Sequence, residues 1–283
     1  MKTGFVVPYA SEREFADLAR LGEERGWDGV FTWEALYGVD AWVNLGAAAM
    51  VTERIRLGTL LTPAARHRPW DLASKVGSVD RISGGRAVMS VGLGALHEGW
   101  TAFEADEGRA VRAKKLDESL AIYAGLLTGQ PFTYAGEYYS AQPTDFMLPP
   151  DTPQRPHPPV WVVAAPSPGR HRQASLERAA RWQGVIPAIH SPDPDVPKTV
   201  EDFSAVVGSV RRLRQEAGLA WEGYDAVIEA DSWGGFTRLE PAEPGAWEQA
   251  GATWWIESWW TVEPGPEGLA EVRRRVEAGP PTA

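Results

Sequence analysis

Carboxylates recur at the ends of the chain's short apolar runs. Trp33-Glu34 closes one run, Gly92-Leu93-Gly94 followed by His97 and Glu98 closes another, and Glu229, Asp231 and Glu257 follow two more. Such residues suit two chemistries. A pair of carboxyl groups flanked by tryptophans can act as acid and nucleophile on a sugar. Equally, glycine-rich strand ends let a flat cofactor ring approach the backbone, and a helix N-terminus receives its phosphate. Gly92-Leu93-Gly94 lies outside a dinucleotide-binding context, and its simplest reading is a tight turn. The residues by themselves leave both chemistries open.

A second constellation is Ala165-Pro166-Ser167-Pro168-Gly169-Arg170-His171-Arg172, which leads into a helical stretch reaching Trp182. Free N–H groups at the helix start, the Ser167 hydroxyl and the guanidiniums of Arg170 and Arg172 make it a candidate site for a terminal phosphate. His67, His157 and His190 show no paired ligand spacing, so surface or structural roles are expected and no metal is. Of the 14 tryptophans, Trp254, Trp255, Trp259 and Trp260 cluster toward the C-terminus. Core packing explains them first, and a wall for a planar ligand is the functional alternative.

The elements that must position these groups alternate. Apolar runs at residues 4–8, 29–33, 55–61, 87–91, 160–164, 184–189, 226–230 and 253–258 are separated by helical patterns, the signature of a parallel sheet with crossover helices. Eight strands close a barrel, and most runs are continuously apolar, as strands covered on both faces must be. The expected fold is therefore an α/β (β/α)8 (TIM) barrel formed by residues 1–283 as one domain, with the reactive groups at the carboxyl ends of the strands. Ser11 and Glu14 announce the first helix, with Phe15, Leu18, Ala19 and Gly22 on one face and Gly26 as its stop. Leu116, Leu120, Tyr123 and Leu127 form another stripe, closed by Gly129, and Leu269, Val272 and Val276 mark the last helix. A Pro-rich excursion at about residues 130–159 precedes the fifth strand, and long loops of this kind are often lids or binding loops.

Composition narrows the class. Hydrophobic residues at 43% and charged residues at 23% are ordinary for a globular chain. A formal charge of −10 argues against a nucleic-acid partner, which would demand phosphate neutralisation by Lys and Arg. With no cysteine, thiolate nucleophiles, disulfides and Cys-ligated metals are excluded. Met1-Lys2-Thr3 runs directly into a strand-like segment, and no span approaches ~20 apolar residues. A cytoplasmic enzyme without membrane contact is expected. The Ala-rich helix over residues 41–50 permits close helix packing and suggests a homodimer.

The middle of the chain carries a resemblance. Leu57-Gly58-Thr59, Arg68-Pro69, Leu72-Ala73, Val79-Asp80-Arg81-Ile82-Ser83-Gly84-Gly85-Arg86 and Val91-Gly92-Leu93-Gly94, in that order and spacing, resemble the third and fourth βα units of the luciferase-like monooxygenase superfamily. Gly26-Trp27-Asp28-Gly29, Leu116-Asp117-Glu118 and Ala179-Ala180-Arg181-Trp182-Gln183-Gly184 extend it, so that most of residues 1–190 is covered, with the last third matching by pattern. The resemblance implies an oxidoreductase or monooxygenase that holds FMN or a deazaflavin (coenzyme F420) and acts on a small organic substrate, which the Trp-rich loops, where they are not simply core, make apolar or aromatic. It places the ring against Thr59, Leu60, Leu61, Gly92, Leu93 and Gly94, with a non-prolyl cis peptide at Leu60-Leu61. The phosphate falls to Ala165, Ser167, Gly169, Arg170 and Arg172.

This sequence departs from the family's pattern at Ala35, where a histidine is frequent, and at Gly92 and Leu93, where bacterial luciferases carry cysteine and arginine. Glu34 and His97 are then the candidates for proton transfer beside the ring, against the plainer reading of Glu34 as an ion-pair partner of a barrel arginine. Two other classes stay open at this point, a non-catalytic flavin carrier and a barrel glycoside hydrolase.

Overall fold

In a computed structural model, which describes residues 1–96, 99–167, 173–189, 196–233, 239–240 and 242–281, all eight expected strands appear. They are β1 (Lys2–Val7), β2 (Gly29–Thr32), β3 (Arg56–Thr59), β4 (Ala87–Gly92), β5 (Val160–Ala164), β6 (Gly184–Pro187), β7 (Asp225–Ala230) and β8 (Trp254–Ser258). Each strand pairs in parallel with the next, and β8 returns to β1 through Lys2↔Trp254 to Val6↔Ser258. The sheet is a closed eight-stranded barrel. Helices α1 (Glu12–Glu24), α2 (Ala41–Ala49), α3 (Pro69–Ser83), α4 (Arg109–Thr128), α5 (Ala174–Arg181), α6 (Val200–Glu216), α7 (Pro244–Gln249) and α8 (Pro266–Ala278) follow the strands in turn. At the head of α1, Glu14 accepts hydrogen bonds from both the N–H and the hydroxyl of Ser11, as the sequence pattern requires. No helix among the described residues is long and apolar enough to cross a membrane.

Alternation along each strand splits the core in two. Val6, Phe31, Leu60, Val88, Trp161, Ile186, Val227, Trp254 and Ile256 form the cluster inside the barrel. Their neighbours in sequence, among them Phe5, Val30, Leu57, Met89, Val162, Ile228 and Trp255, pack outward under the helices. Three large rings plug the lower interior: Phe31 and Trp161 lie 5.6 Å apart, Trp161 and Trp254 5.4 Å, and Phe31 and Trp254 6.0 Å. They fit because the strands offer them glycine. A Cβ on Gly4, Gly29 or Gly58 would come within 2.8 Å of Phe31, and one on Gly184 within 2.3 Å of Trp161.

Two features belong to the amino-terminal face, opposite the mouth. The later part of the Pro-rich excursion is anchored there: Gln154 donates to Asp80 Oδ1 (2.6 Å) and to Ala87 O (2.8 Å), and Arg56 donates to Gln154 Oε1 (2.9 Å). The lid expectation is corrected for this stretch, since a helix-to-strand connection emerges where strands begin rather than where they end. Arg86, which closes the family-like motif, is also structural. Its buried guanidinium donates to Ser83 O, Ile55 O, Ala49 O, Thr52 O and Thr52 Oγ1.

The barrel floor contains a titratable group. Asp225 Oδ1 accepts from Thr253 Oγ1 and Trp254 Nε1, and Oδ2 from Trp161 Nε1, all at 3.1 Å. Desolvation holds its pKa above the ordinary carboxylate range, only partly opposed by these bonds and by the charge of Lys2. A raised folded-state pKa means that the folded form retains a proton that the unfolded form, at about 3.9, releases. The associated stability is present below about pH 3.9 and is lost as pH rises through the folded value. Urea denaturation of the Asp225→Asn variant should accordingly improve relative to the parent between pH 4 and 7, and a constant difference over that range would refute the assignment.

Candidate functional site

Strand alternation decides which end-of-strand residues face the mouth. Glu34 does not lie on the barrel axis. Its carboxylate, 6% exposed, is turned into the layer between sheet and helices, where Oε1 accepts from Trp42 Nε1 (2.6 Å) and Thr62 Oγ1 (2.8 Å) and Oε2 meets His67 Nε2 at 2.6 Å. Thr62 Oγ1 also lies 2.9 Å from Thr59 Oγ1, which is 3.2 Å from Ser90 O. The partner of Glu34 is thus a histidine, not the barrel arginine of the plainer expectation. Arg66 instead donates to the backbone oxygens of Glu34, Ala35 and Leu36 at 3.0–3.2 Å. Together these bonds tie the loop after β2 to the segment after β3.

Glu257 is likewise outward and fully buried. It accepts from Trp255 Nε1 (2.8 Å), Trp259 Nε1 (3.2 Å) and the N–H of Ser232 (2.9 Å). The sequence expectation that several carboxylates share one mouth is corrected for Glu34 and Glu257. Glu229, which shares its face with Val227, remains inside the barrel. Its Oε1 accepts from Trp260 Nε1 at 2.6 Å. Trp260 stands edge-to-face with Trp33 at 6.3 Å, and Trp33 donates its indole N–H to Pro8 O at 2.6 Å. Ser90 and Ser258 share the inner face with Val88 and Ile256. Both are fully buried, and neither Oγ has a partner among the described residues. Sequence reading did not single out either serine or the Trp33–Trp260 pair. Counting by twos from the plug residues Phe31 and Trp254 would have found Trp33, Ser258 and Trp260.

The opposite wall is the shelf. The peptide Leu60-Leu61 is cis, as the resemblance implies. Leu60 faces the interior cluster, and the two-residue strand Thr62–Pro63 pairs with Val91 and Gly92. The Leu61 side chain lies against Gly92, 2.9 Å from where a Cβ would stand. Gly94 adopts φ +78°, and a Cβ there would come within 2.5 Å of the Trp100 ring. Leu93 packs against the outer cluster. Glycine at 92 and 94 therefore lets the ends of β3 and β4 come together as a low, apolar surface.

On the expected phosphate side, Ala165 and Ser167 follow β5. The Ser167 N–H is donated to Gln173 Oε1 at 2.8 Å, and Gln173 Nε2 returns a bond to Ser167 O at 3.2 Å, so that among the described residues of this segment the Ser167 hydroxyl and the start of α5 are what could meet an anion. His97, Gly169, Arg170 and Arg172 lie outside the described residues, as does His190. His157 is buried, with Nδ1 2.9 Å from Pro158 O and its ring between Tyr123 and Trp182, a structural position.

A closed parallel barrel with a helix after each strand is a (β/α)8 scaffold. The family model described as luciferase-like monooxygenase matches residues 2–231, and the chain belongs to that family. It is 28% identical over 204 residues to an uncharacterised protein of Mycobacterium tuberculosis, covering 71% of this chain and 64% of that protein. It is 32% identical over 171 residues to an F420-dependent glucose-6-phosphate dehydrogenase of Beutenbergia cavernae, covering 55% of this chain and 49% of the dehydrogenase. The matched stretch thus spans less than two thirds of either relative.

Among solved structures, the coenzyme F420-dependent tetrahydromethanopterin reductase of Methanopyrus kandleri superposes with TM-score 0.73 at 16% identity over 98% of both chains. The FMN complex of the oxygenating constituent of 3,6-diketocamphane monooxygenase from Pseudomonas putida gives 0.64 at 17% identity, covering 82% of this chain and 67% of that one. At such identities these likenesses show the shared fold. The family match supports an oxidoreductase, and neither the carrier nor the glycoside hydrolase reading is favoured.

Removing the Glu34 carboxylate would leave the donors of Trp42, Thr62 and His67 unmatched in a buried setting, at about 1–3 kcal/mol for each unsatisfied group. The Glu34→Ala variant should lose a large part of its stability to urea and Glu34→Gln, which retains one acceptor oxygen, clearly less. Equal midpoints for both variants and the parent would show that this carboxylate is not the tie.

Proposed function

We propose that this protein is an oxidoreductase that holds the tricyclic ring of FMN or of the deazaflavin coenzyme F420 on the shelf formed by Thr59, Leu60, Leu61, Gly92, Leu93 and Gly94, and transforms a small apolar or aromatic substrate above it. The observation that carries the reading is the lack of side chains at Gly92 and Gly94, which lets Leu61 and Trp100 close in on the end of β4 and leaves its backbone as the surface of the shelf. The residues present fit such a group: the shelf is apolar, and Trp260 after β8 stands across from it, with Trp33 after the adjoining β2 set against Trp260. Ser167, the start of α5, Gly169, Arg170 and Arg172 serve the phosphate.

When bound, FMN in its reduced form supplies oxygen activation, and the deazaflavin supplies hydride transfer. The chain's own contribution is to orient, to exclude water and to manage protons. Glu34 acts through His67, the more exposed member of the pair at 15% against 6%. Protons exchanged with the mouth pass by that imidazole, and His97 is the second candidate for the same task.

The active form is a homodimer that uses α2. Val43, Met50 and Val51 expose 55%, 74% and 46% of their surface along or just beyond this helix, and Gly46 has open space above it. Apolar side chains beside a small residue allow a second helix to approach.

Purified protein mixed separately with FMN and with F420 should perturb the visible spectrum of one of them in a saturable way, and Gly92→Val, by displacing Leu61, should weaken that binding at least tenfold. Failure of both cofactors to bind would overturn the function proposed. Sedimentation should show a dimer that Met50→Glu converts to monomer, and a monomeric parent would refute the association.

A further inference from the structure

The wall opposite the shelf carries a carboxylate with an open oxygen. In the closed ring of eight strands, β7 and β8 stand four positions from β3 and β4, so their inward side chains confront the shelf across the mouth. Glu229 comes from β7. One of its oxygens is held by the Trp260 indole at 2.6 Å, and the other has no partner among the described residues. The carboxylate is positioned by rings that are themselves fixed, since Trp260 abuts Trp33 and Trp33 is bonded to Pro8 O. A second observation points the same way. The hydroxyls of Ser258 on the same wall and Ser90 on the opposite one are fully buried on the inner face without partners among the described residues. Buried polar groups are ordinarily satisfied, so an unpaired pair inside the barrel marks a polar zone beneath the mouth.

We propose that Glu229 is the specificity-determining residue of the mouth: its open oxygen accepts the O–H or N–H of a substrate whose flat apolar body lies between the shelf and Trp260. The proposal rests on the mouth being the substrate site of the oxidoreductase described above and names the substrate class: aromatic or apolar compounds bearing a hydroxyl or a protonated amine. A hydrogen bond to an ionised acceptor is roughly twice as strong as a neutral one. The same charge repels a carboxylate or phosphate at that position.

The test is calorimetric titration of the protein, alone and loaded with whichever cofactor binds, with 4-methylphenol, benzylamine, 4-methylbenzoate and phenyl phosphate. The parent should bind the phenol and the amine at least tenfold more tightly than the two anions. Glu229→Gln should shrink that ratio below about threefold while leaving cofactor affinity unchanged, and Glu229→Asp should keep its sign at reduced size. Absence of the preference in the parent, or its full retention in Glu229→Gln, overturns the proposal. If neither cofactor binds, the oxidoreductase reading falls by itself, and the preference measured on the protein alone still decides the role of Glu229.

Discussion

The structure depends on how the barrel interior is filled. Phe31, Trp161 and Trp254 occupy the lower half because Gly4, Gly29, Gly58 and Gly184 give them room. Close packing of three rings leaves no space for a ligand at that level. Any opening must therefore lie above them, and what lines it follows from the two-residue period of each strand. Val88 leads to Ser90 and Gly92, Val227 to Glu229, and Ile256 to Ser258 and Trp260. The same count from Thr32 and Trp255 sends Glu34 and Glu257 behind the wall.

Those two hidden carboxylates do related work. Each accepts indole N–H groups: Trp42 for Glu34, Trp255 and Trp259 for Glu257. An indole nitrogen is a donor only, and an ionised acceptor makes the stronger kind of hydrogen bond. Pairing them satisfies both groups and fixes the loops from which the rim is made. Glu34 joins α2 to the segment after β3 through Trp42, Thr62 and His67. Glu257 holds the loop after β7 through the N–H of Ser232. Rigid loops on a rigid scaffold let a shelf keep its shape.

The barrel was legible because eight apolar runs, spaced by helical patterns, admit few architectures, and the stretch from Leu57 to Gly94 carried the family. Which face each strand residue occupies was not legible from hydropathy, because a run that is apolar on both sides hides its alternation. The glycine–aromatic complementarity that reveals it is a contact between distant strands: Gly184 with Trp161, and Gly58 with Phe31. The same limit explains the excursion. Proline content announces an irregular segment but does not say at which end of the barrel it lies, and the bonds of Gln154 to Asp80 and Ala87 place it at the amino-terminal face. Part of the family signature proved to be scaffold for the same reason, since Asp80 and Arg86 are spent on that face.

The family-like motif and the Glu229 carboxylate stand on opposite walls of this barrel. The residues by which the chain is recognised lie on β3 and β4, around the shelf, and the family match runs from residue 2 to 231. The confronting wall is completed beyond that limit, by Ser258 and Trp260 on and after β8. If the proposed ring lies on the shelf, the wall across the mouth is left to meet the substrate. Glu229, within the matched residues, and Trp260, beyond them, meet there in one hydrogen bond, so that wall joins a part of the chain the family model covers to a part it does not.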